Sequence, residues 1–212
     1  MDYDGKTVAI AGAASGIGHA TAQMAAQMGA RIIALDRDAG ALENMRADFV
    51  AQGLAITPVD VDISSEASIR TAVEQRMAAI DRIDLLVNSA GIVSRGMFET
   101  TSGEEWQRVL PINLSGSFFC LQQMVPLLRE GTGRAAVNVA SQAPKRVSYT
   151  GGVSYTAAKA GMLGLTRHAA FELAHEGIRV NAVCPGPVLT ADDAARDSRG
   201  RAAQGCRNGA AR

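Results

Sequence analysis

The chain has 212 residues, 47% of them hydrophobic, and 21 basic residues balance 21 acidic ones. That length suffices for one sizeable core, and the even charge gives no electrostatic footprint for a nucleic-acid or membrane partner. Cys120, Cys184 and Cys206 stand far apart without metal-ligand spacing, which points to a reducing, cytoplasmic setting and no metal site. The acidic start, Met1-Asp2-Tyr3-Asp4, enters a strand pattern at once, so no signal peptide is expected. No apolar run is long enough for a transmembrane helix.

Strands are predicted near 7–11, 31–36, 54–59, 83–88, 134–140 and 178–183, and helices near 17–29, 39–52, 65–80, 103–130 and 153–176. This alternation predicts an α/β protein, a Rossmann-type doubly wound parallel sheet in the order 3-2-1-4-5-6, with a ligand beyond the carboxyl ends of the strands.

The first strand, Thr7-Val8-Ala9-Ile10-Ala11, runs into Gly12-Ala13-Ala14-Ser15-Gly16-Ile17-Gly18 and then a helical pattern. A glycine-rich turn between strand and helix is a phosphate cradle. Glycines admit the pyrophosphate close to the backbone, and the helix start presents free N–H groups. The second strand ends at Asp36, whose carboxylate can hold both hydroxyls of an adenosine ribose and would repel a 2′-phosphate. Arg37 is the counter-signal, because it could accept that phosphate. Charge logic favours NAD(H), since Ser15 adds no second cation in the turn. Asp36 could equally cap the helix starting near Ala39.

Further along, Tyr155 and Lys159 lie four apart in a helical pattern, one turn apart on the same face. An ammonium group there favours the phenolate of a tyrosine that is otherwise too weak an acid to trade protons near neutral pH. The pair is a candidate proton donor and acceptor for an alcohol or carbonyl.

Together these motifs resemble the short-chain dehydrogenase/reductase family, in its single-domain branch, over about residues 5–190. The resemblance implies that Gly12, Ser15, Gly16, Ile17 and Gly18 cradle the cofactor. Asp62 and Ile63 would meet the adenine. Asn88, Ala90 and Gly91, in Asn88-Ser89-Ala90-Gly91, would line the cofactor at the end of the fourth strand. Pro185, Gly186, Val188 and Thr190 would hold the nicotinamide carboxamide. The implied catalytic set is Asn113, Ser141, Tyr155 and Lys159. Tyr155 exchanges the proton, Ser141 binds the substrate oxygen, Lys159 binds the nicotinamide ribose, and Asn113 holds a water linking Lys159 to solvent. The implied reaction is hydride transfer between NAD(H) and a secondary alcohol or ketone, and the pattern resembles the 3-oxoacyl-carrier-protein reductase group. The alternative is a cofactor-binding relative with little turnover.

Four departures from the family pattern stand out. Ala11 replaces the usual threonine whose hydroxyl ties the glycine turn to the fourth strand. Ser89 replaces an asparagine. The Ser141–Tyr155 interval is fourteen positions, one more than usual. Residues 191–212 hold five arginines, seven alanines and three glycines, with no Leu, Ile, Val, Met or aromatic residue. Such a tail cannot bury enough apolar surface to offset its ordering entropy. It is expected to be a disordered segment following a domain of residues 1–190, with the usual seventh strand absent and the sixth strand an exposed edge. A truncated or frame-shifted coding sequence would explain it, and the pocket would then be open and turnover impaired.

Met24 and Met28 are expected in the core, and Trp106 against the start of the long helix. His19, His168 and His175 are expected to be structural or solvent-facing, and Lys145 and Arg146 to lie in a solvated loop. The helices near 103–130 and 153–176 would form a homodimer contact, as in the family. Substrate contacts are expected from 92–98, 142–153 and the residues after Gly186.

Overall fold

The computed structural model describes residues 2–145 and 151–188. All five residues of strand β1 (Thr7–Ala11) are buried, as only a parallel strand covered on both faces allows. On one side β1 pairs with β2 (Arg31–Asp36), which pairs with β3 (Ile56–Asp60). On the other side lie β4 (Leu85–Asn88), β5 (Ala135–Val139) and β6 (Arg179–Val183). The order β3-β2-β1-β4-β5-β6 is the one predicted, and every pairing is parallel. Pro58, which cannot donate to a ladder, sits in the outermost strand on its side, where a missing N–H is tolerated. Among the described residues β6 is the opposite edge.

Alternate residues of each strand feed two cores. Val8, Ile10 and Ile32 pack with Ala22, Ala25 and Ala26 of α1 (Gly16–Gln27) and with Leu42, Met45 and Phe49 of α2 (Ala39–Ala51). Ala9, Ala11, Ile33 and Leu35 pack on the other face with Ile69 of α3 (Glu66–Thr71) and with Met124 and Leu128 of α5 (Gly116–Glu130). Because α1 meets the sheet through small alanines, Met24 is turned away from it. It is 64% exposed rather than in the core as expected. Met28 is half-buried.

Two predicted helices are interrupted. After α3 the chain widens into a π turn, Ala72–Arg76. The helix expected over 103–130 is α4 (Gly103–Leu110), then a π turn at Pro111–Ser115, then α5. Pro111 supplies no N–H for an α-type bond at the point where the turn widens. That turn carries Asn113. The last helix, α6 (Val153–Leu173), ends in a 3₁₀ turn at Ala174–Glu176. The helix after β2 is capped by Asp38, whose carboxylate accepts from the Ala41 N–H at 2.9 Å, so Asp36 is not its cap. Arg146, Thr190 and the tail 191–212 lie outside the described residues.

Candidate active site

A cleft of about 1160 Å³ opens beyond the carboxyl ends of the strands, large enough for a dinucleotide and a small substrate. Every described residue predicted for cofactor or catalysis lines it, with one exception. Asn88 does not line it. Its amide donates to the Ser117 carbonyl at 3.3 Å and to Asn138 Oδ1 at 2.9 Å, and Asn138 in turn donates to the Thr166 hydroxyl at 2.9 Å. Asn88 is a buried strut joining β4, β5 and α6 rather than a cofactor-facing side chain.

The glycine turn is shaped by close approach. Gly12 has a φ of +78°, and a Cβ there would fall 2.6 Å from the Ala90 backbone. A Cβ on Gly18 would fall 1.9 Å from the Gly12 carbonyl and 2.5 Å from Ser89 Oγ. The turn is hung from β2 by Gly12 and Ala13 N–H bonds to the Leu35 carbonyl. The tie expected to be lost with Ala11 is made from the opposite side. Ser89 Oγ donates to the Ala11 carbonyl at 3.0 Å and lies 3.3 Å from the Gly12 carbonyl. Ser15 starts α1 without a side-chain cap bond, so the first N–H groups of the helix point at the cleft for an anion.

Asp36 is fixed at the tip of β2 by the Ala14 N–H at 3.0 Å and the Asp38 N–H at 3.2 Å. A carboxylate has about four acceptor positions, which leaves room for a diol. Asp62 accepts from the Ser64 hydroxyl at 2.7 Å and the Ser64 N–H at 2.9 Å. The hydroxyl bond is the main cause holding its carboxyl below the ordinary value, and the Arg37 charge adds to it.

On α6, Lys159 is 3% exposed and donates to the Val139 carbonyl at 2.7 Å. Burial pushes its ammonium down to about 8. It lies 5.8 Å from the centroid of the Tyr155 ring. Asn113 is fully buried, and its amide donates to the Ile92 carbonyl at 2.9 Å and the Val109 carbonyl at 3.1 Å. Its Oδ1 has no hydrogen-bond partner among the described residues. A Cβ on Gly91 would come within 2.6 Å of that oxygen and 3.4 Å of Lys159 Nζ, so Gly91 keeps open the space that both atoms border. Ser141 follows β5, and its Oγ accepts from the Ala143 N–H at 3.1 Å. The Gln142 N–H donates to the Pro185 carbonyl at 3.0 Å, which holds the Ser141 loop against the segment carrying Gly186 and Val188. Glycine cradle, free helix start, fixed acidic strand tip and orphaned Asn113 oxygen together fit a nicotinamide dinucleotide.

Residues 6–199 match the family model described as short chain dehydrogenase. The chain belongs to the short-chain dehydrogenase family. It is similar to the D-threitol dehydrogenase of Mycolicibacterium smegmatis, with 40% identity over 88% of this chain and 72% of that one. It is also similar to the 3-oxoacyl-[acyl-carrier-protein] reductase of Thermotoga maritima, 38% identical over 90% of this chain and 77% of the relative. The crystal structure of a 3-oxoacyl-[acyl-carrier protein] reductase with bound NAD from Brucella melitensis superposes with a TM-score of 0.82 at 29% identity, covering 92% of this chain and 76% of that one. This short-chain dehydrogenase is therefore an oxidoreductase of an NAD(P)-using family and resembles the 3-oxoacyl-carrier-protein reductase group.

Several site residues were not visible beforehand. Arg108 lines the cleft from outside every expected range, while Arg95 lines it from within the expected 92–98 without having been singled out, and Ser94 braces the loop that carries Arg95. Asn138 was detectable in principle, being a lone amide in an otherwise apolar strand. The histidines take no part in the cleft. His19 packs edge-on to Phe49, while His168 and His175 bond to Glu172.

Proposed function

We propose that this short-chain dehydrogenase transfers hydride between NAD(H) and a secondary alcohol or its ketone, with Tyr155 as the acid–base group. The observation that carries the reading is that Tyr155, Lys159, Ser141 and Asn113, drawn from three separate segments, all line the one cleft. Gly12, Gly16, Gly18 and the start of α1 would hold the pyrophosphate, Asp36 the adenosine ribose, and Asp62 with Ile63 the adenine. Ala90, Gly91, Pro185, Gly186 and Val188 would border the nicotinamide half. Once bound, the nicotinamide supplies or accepts the hydride.

The protein's part is orientation and proton movement. Tyr155 would give its hydroxyl proton to the substrate oxygen in reduction and take it back in oxidation. Ser141 Oγ, with its own proton free to donate, would hydrogen-bond the same oxygen where charge develops. Lys159 would place a positive charge beneath the ring and donate to ribose hydroxyls. Asn113 Oδ1 would accept from a water that carries protons between Lys159 and the outside.

Asp36 supports NAD(H) over NADP(H), because a fixed carboxylate there opposes a 2′-phosphate. The aromatics Phe118 on α5 and Phe171 on α6, 41% and 79% exposed, support a homodimer through these helices. The two relatives named above take, by their names, a polyol and a carrier-bound ketone. A secondary alcohol–ketone pair covers both. The test is NADH absorbance against a panel of secondary alcohols and ketones. Tyr155→Phe should lower kcat by about 10²–10⁴-fold with NADH affinity retained. Undiminished turnover in that variant would overturn the assignment.

A further inference from the structure

The charged lining of the cleft is mixed on one side of the sheet, where Arg37 accompanies Asp36 and Asp62, and wholly basic on the other. Its acidic residues, Asp36 and Asp62, follow β2 and β3 on one side. On the other side, around β4 to β6, the ionisable lining is Arg95, Arg108 and Lys159 together with Tyr155. Lys159 uses one N–H on the Val139 carbonyl and keeps the others for the ribose. The exposed side chains of Arg95 and Arg108, like those of Arg31, Arg37 and Arg167, have no hydrogen bond or ion pair among the described residues, in contrast to Arg46, Arg76, Arg129 and Arg134.

Arg95 is held in place by its backbone neighbours. The Ser94 carbonyl accepts from the Gly152 N–H at 2.5 Å and the Gly96 carbonyl accepts from the Val153 N–H at 3.4 Å. The Ser154 hydroxyl donates to Ser94 Oγ at 2.8 Å. These bonds fasten the residues on both sides of Arg95 to the start of α6, immediately before Tyr155. Arg108 projects from α4, five positions before Asn113, whose amide bonds to Ile92 in the same loop. The Glu105 carboxylate accepts from Ser94 Oγ and forms no ion pair with either arginine.

Two guanidinium groups with no partner among the described residues, on the proton-transfer side of a cleft, favour an oxyanion, which each can bind through two N–H groups. A neutral polyol gives them nothing to neutralise. The dinucleotide's own phosphates have the glycine turn and the start of α1, on the far side of β4. We propose that the substrate carries an anionic group, a carboxylate or a phosphate, which Arg95 and Arg108 hold while its alcohol or ketone carbon lies at Tyr155. The proposal rests on the dehydrogenase reading of this cleft and names its substrate class.

The experiment uses the full chain saturated with NADH and two matched pairs, acetoacetate against its methyl ester and dihydroxyacetone phosphate against dihydroxyacetone. Binding is read from NADH fluorescence and turnover from NADH absorbance. The anion of at least one pair should bind about tenfold or more tighter than its neutral partner, the scale of a charge-assisted bond. Which pair discriminates tells carboxylate from phosphate. Arg95→Met and Arg108→Met should each lower that ratio several-fold, and the double variant should bring it near one. NADH affinity measured alongside reports on the fold. Equal binding within both pairs would overturn the proposal, as would arginine variants that weaken NADH and leave the ratio intact. Selective anion binding without any NADH oxidation would instead sink the dehydrogenase reading and leave the anion site standing.

Discussion

Ser89 Oγ bonds to the Ala11 carbonyl at 3.0 Å, tying the end of β4 to the glycine turn across a gap too narrow for a Cβ on Gly18. A hydroxyl on β4 thus replaces one that could have come from β1. Ser89→Ala should cost about 1 kcal/mol of stability, the typical worth of one such bond, and weaken NADH binding because the cradle loses its anchor. Urea unfolding and calorimetric titration check both effects. An unchanged NADH affinity would show that the turn holds its shape without Ser89.

The buried chain Asn88–Asn138–Thr166 joins two strands to the helix that carries Tyr155 and Lys159. Asn138→Ala removes the middle member, taking one of the two amide bonds from Asn88 and the donor from the Thr166 hydroxyl. The expected loss is roughly 2–3 kcal/mol, measured as a shift in unfolding midpoint. A loss below about 0.5 kcal/mol would mean the network is not cooperative.

The strand order was legible in the sequence, and every described residue singled out for cofactor or catalysis except Asn88 lines the cleft. Fully apolar strands and the Gly12–Gly18 turn are contiguous signals, and the strand ends fix where motif residues such as Ser141 and Gly91 must lie. What stayed hidden depends on distant pairings. The Ser154–Ser94 bond spans 60 positions and the Asn138–Thr166 bond 28, and no local pattern encodes either. The Asn88 side chain, expected at the cofactor, bonds into the protein instead. Its motif put it at the right strand end, but strand alternation turned its side chain inward. Met24 misled because helical spacing alone does not say which face meets the sheet when alanines can meet it more closely.

Lys159 makes stability depend on pH. Its folded value, about 8, lies below the ordinary 10.5, so between these values the unfolded chain holds a proton that the folded chain has released. Stability without ligand should therefore rise with pH across that window. Below pH 8 the buried charge carries its full penalty, about 3 kcal/mol at most. Urea unfolding of the protein and of Lys159→Met at pH 7.5, 9 and 10.5 isolates the effect. Their difference in stability should shrink as pH rises, and a constant difference would refute the assignment.

At the amino end of the sheet, the buried Asp84 accepts from the Thr7, Thr132 and Gly133 N–H groups at 2.7–3.0 Å and from the Thr132 hydroxyl at 2.8 Å. Burial alone would raise its carboxyl, but these bonds outweigh it and hold the group below 3.8. The stability it contributes is present above that value and lost as pH falls through the folded one. Asp84→Asn should cost about 2 kcal/mol at pH 7 and flatten the acid limb of the stability profile. A variant as acid-sensitive as the parent would show that Asp84 does not set that limb.

The most direct measurement is a calorimetric titration of the full chain with NADH and, in parallel, NADPH. NADH should bind at least about tenfold tighter than NADPH, and Asp36→Ala should close most of that gap by removing the charge that opposes the 2′-phosphate. Failure to bind either dinucleotide, or NADPH binding as tightly as NADH, would contradict the reading of this cleft as an NAD(H) site.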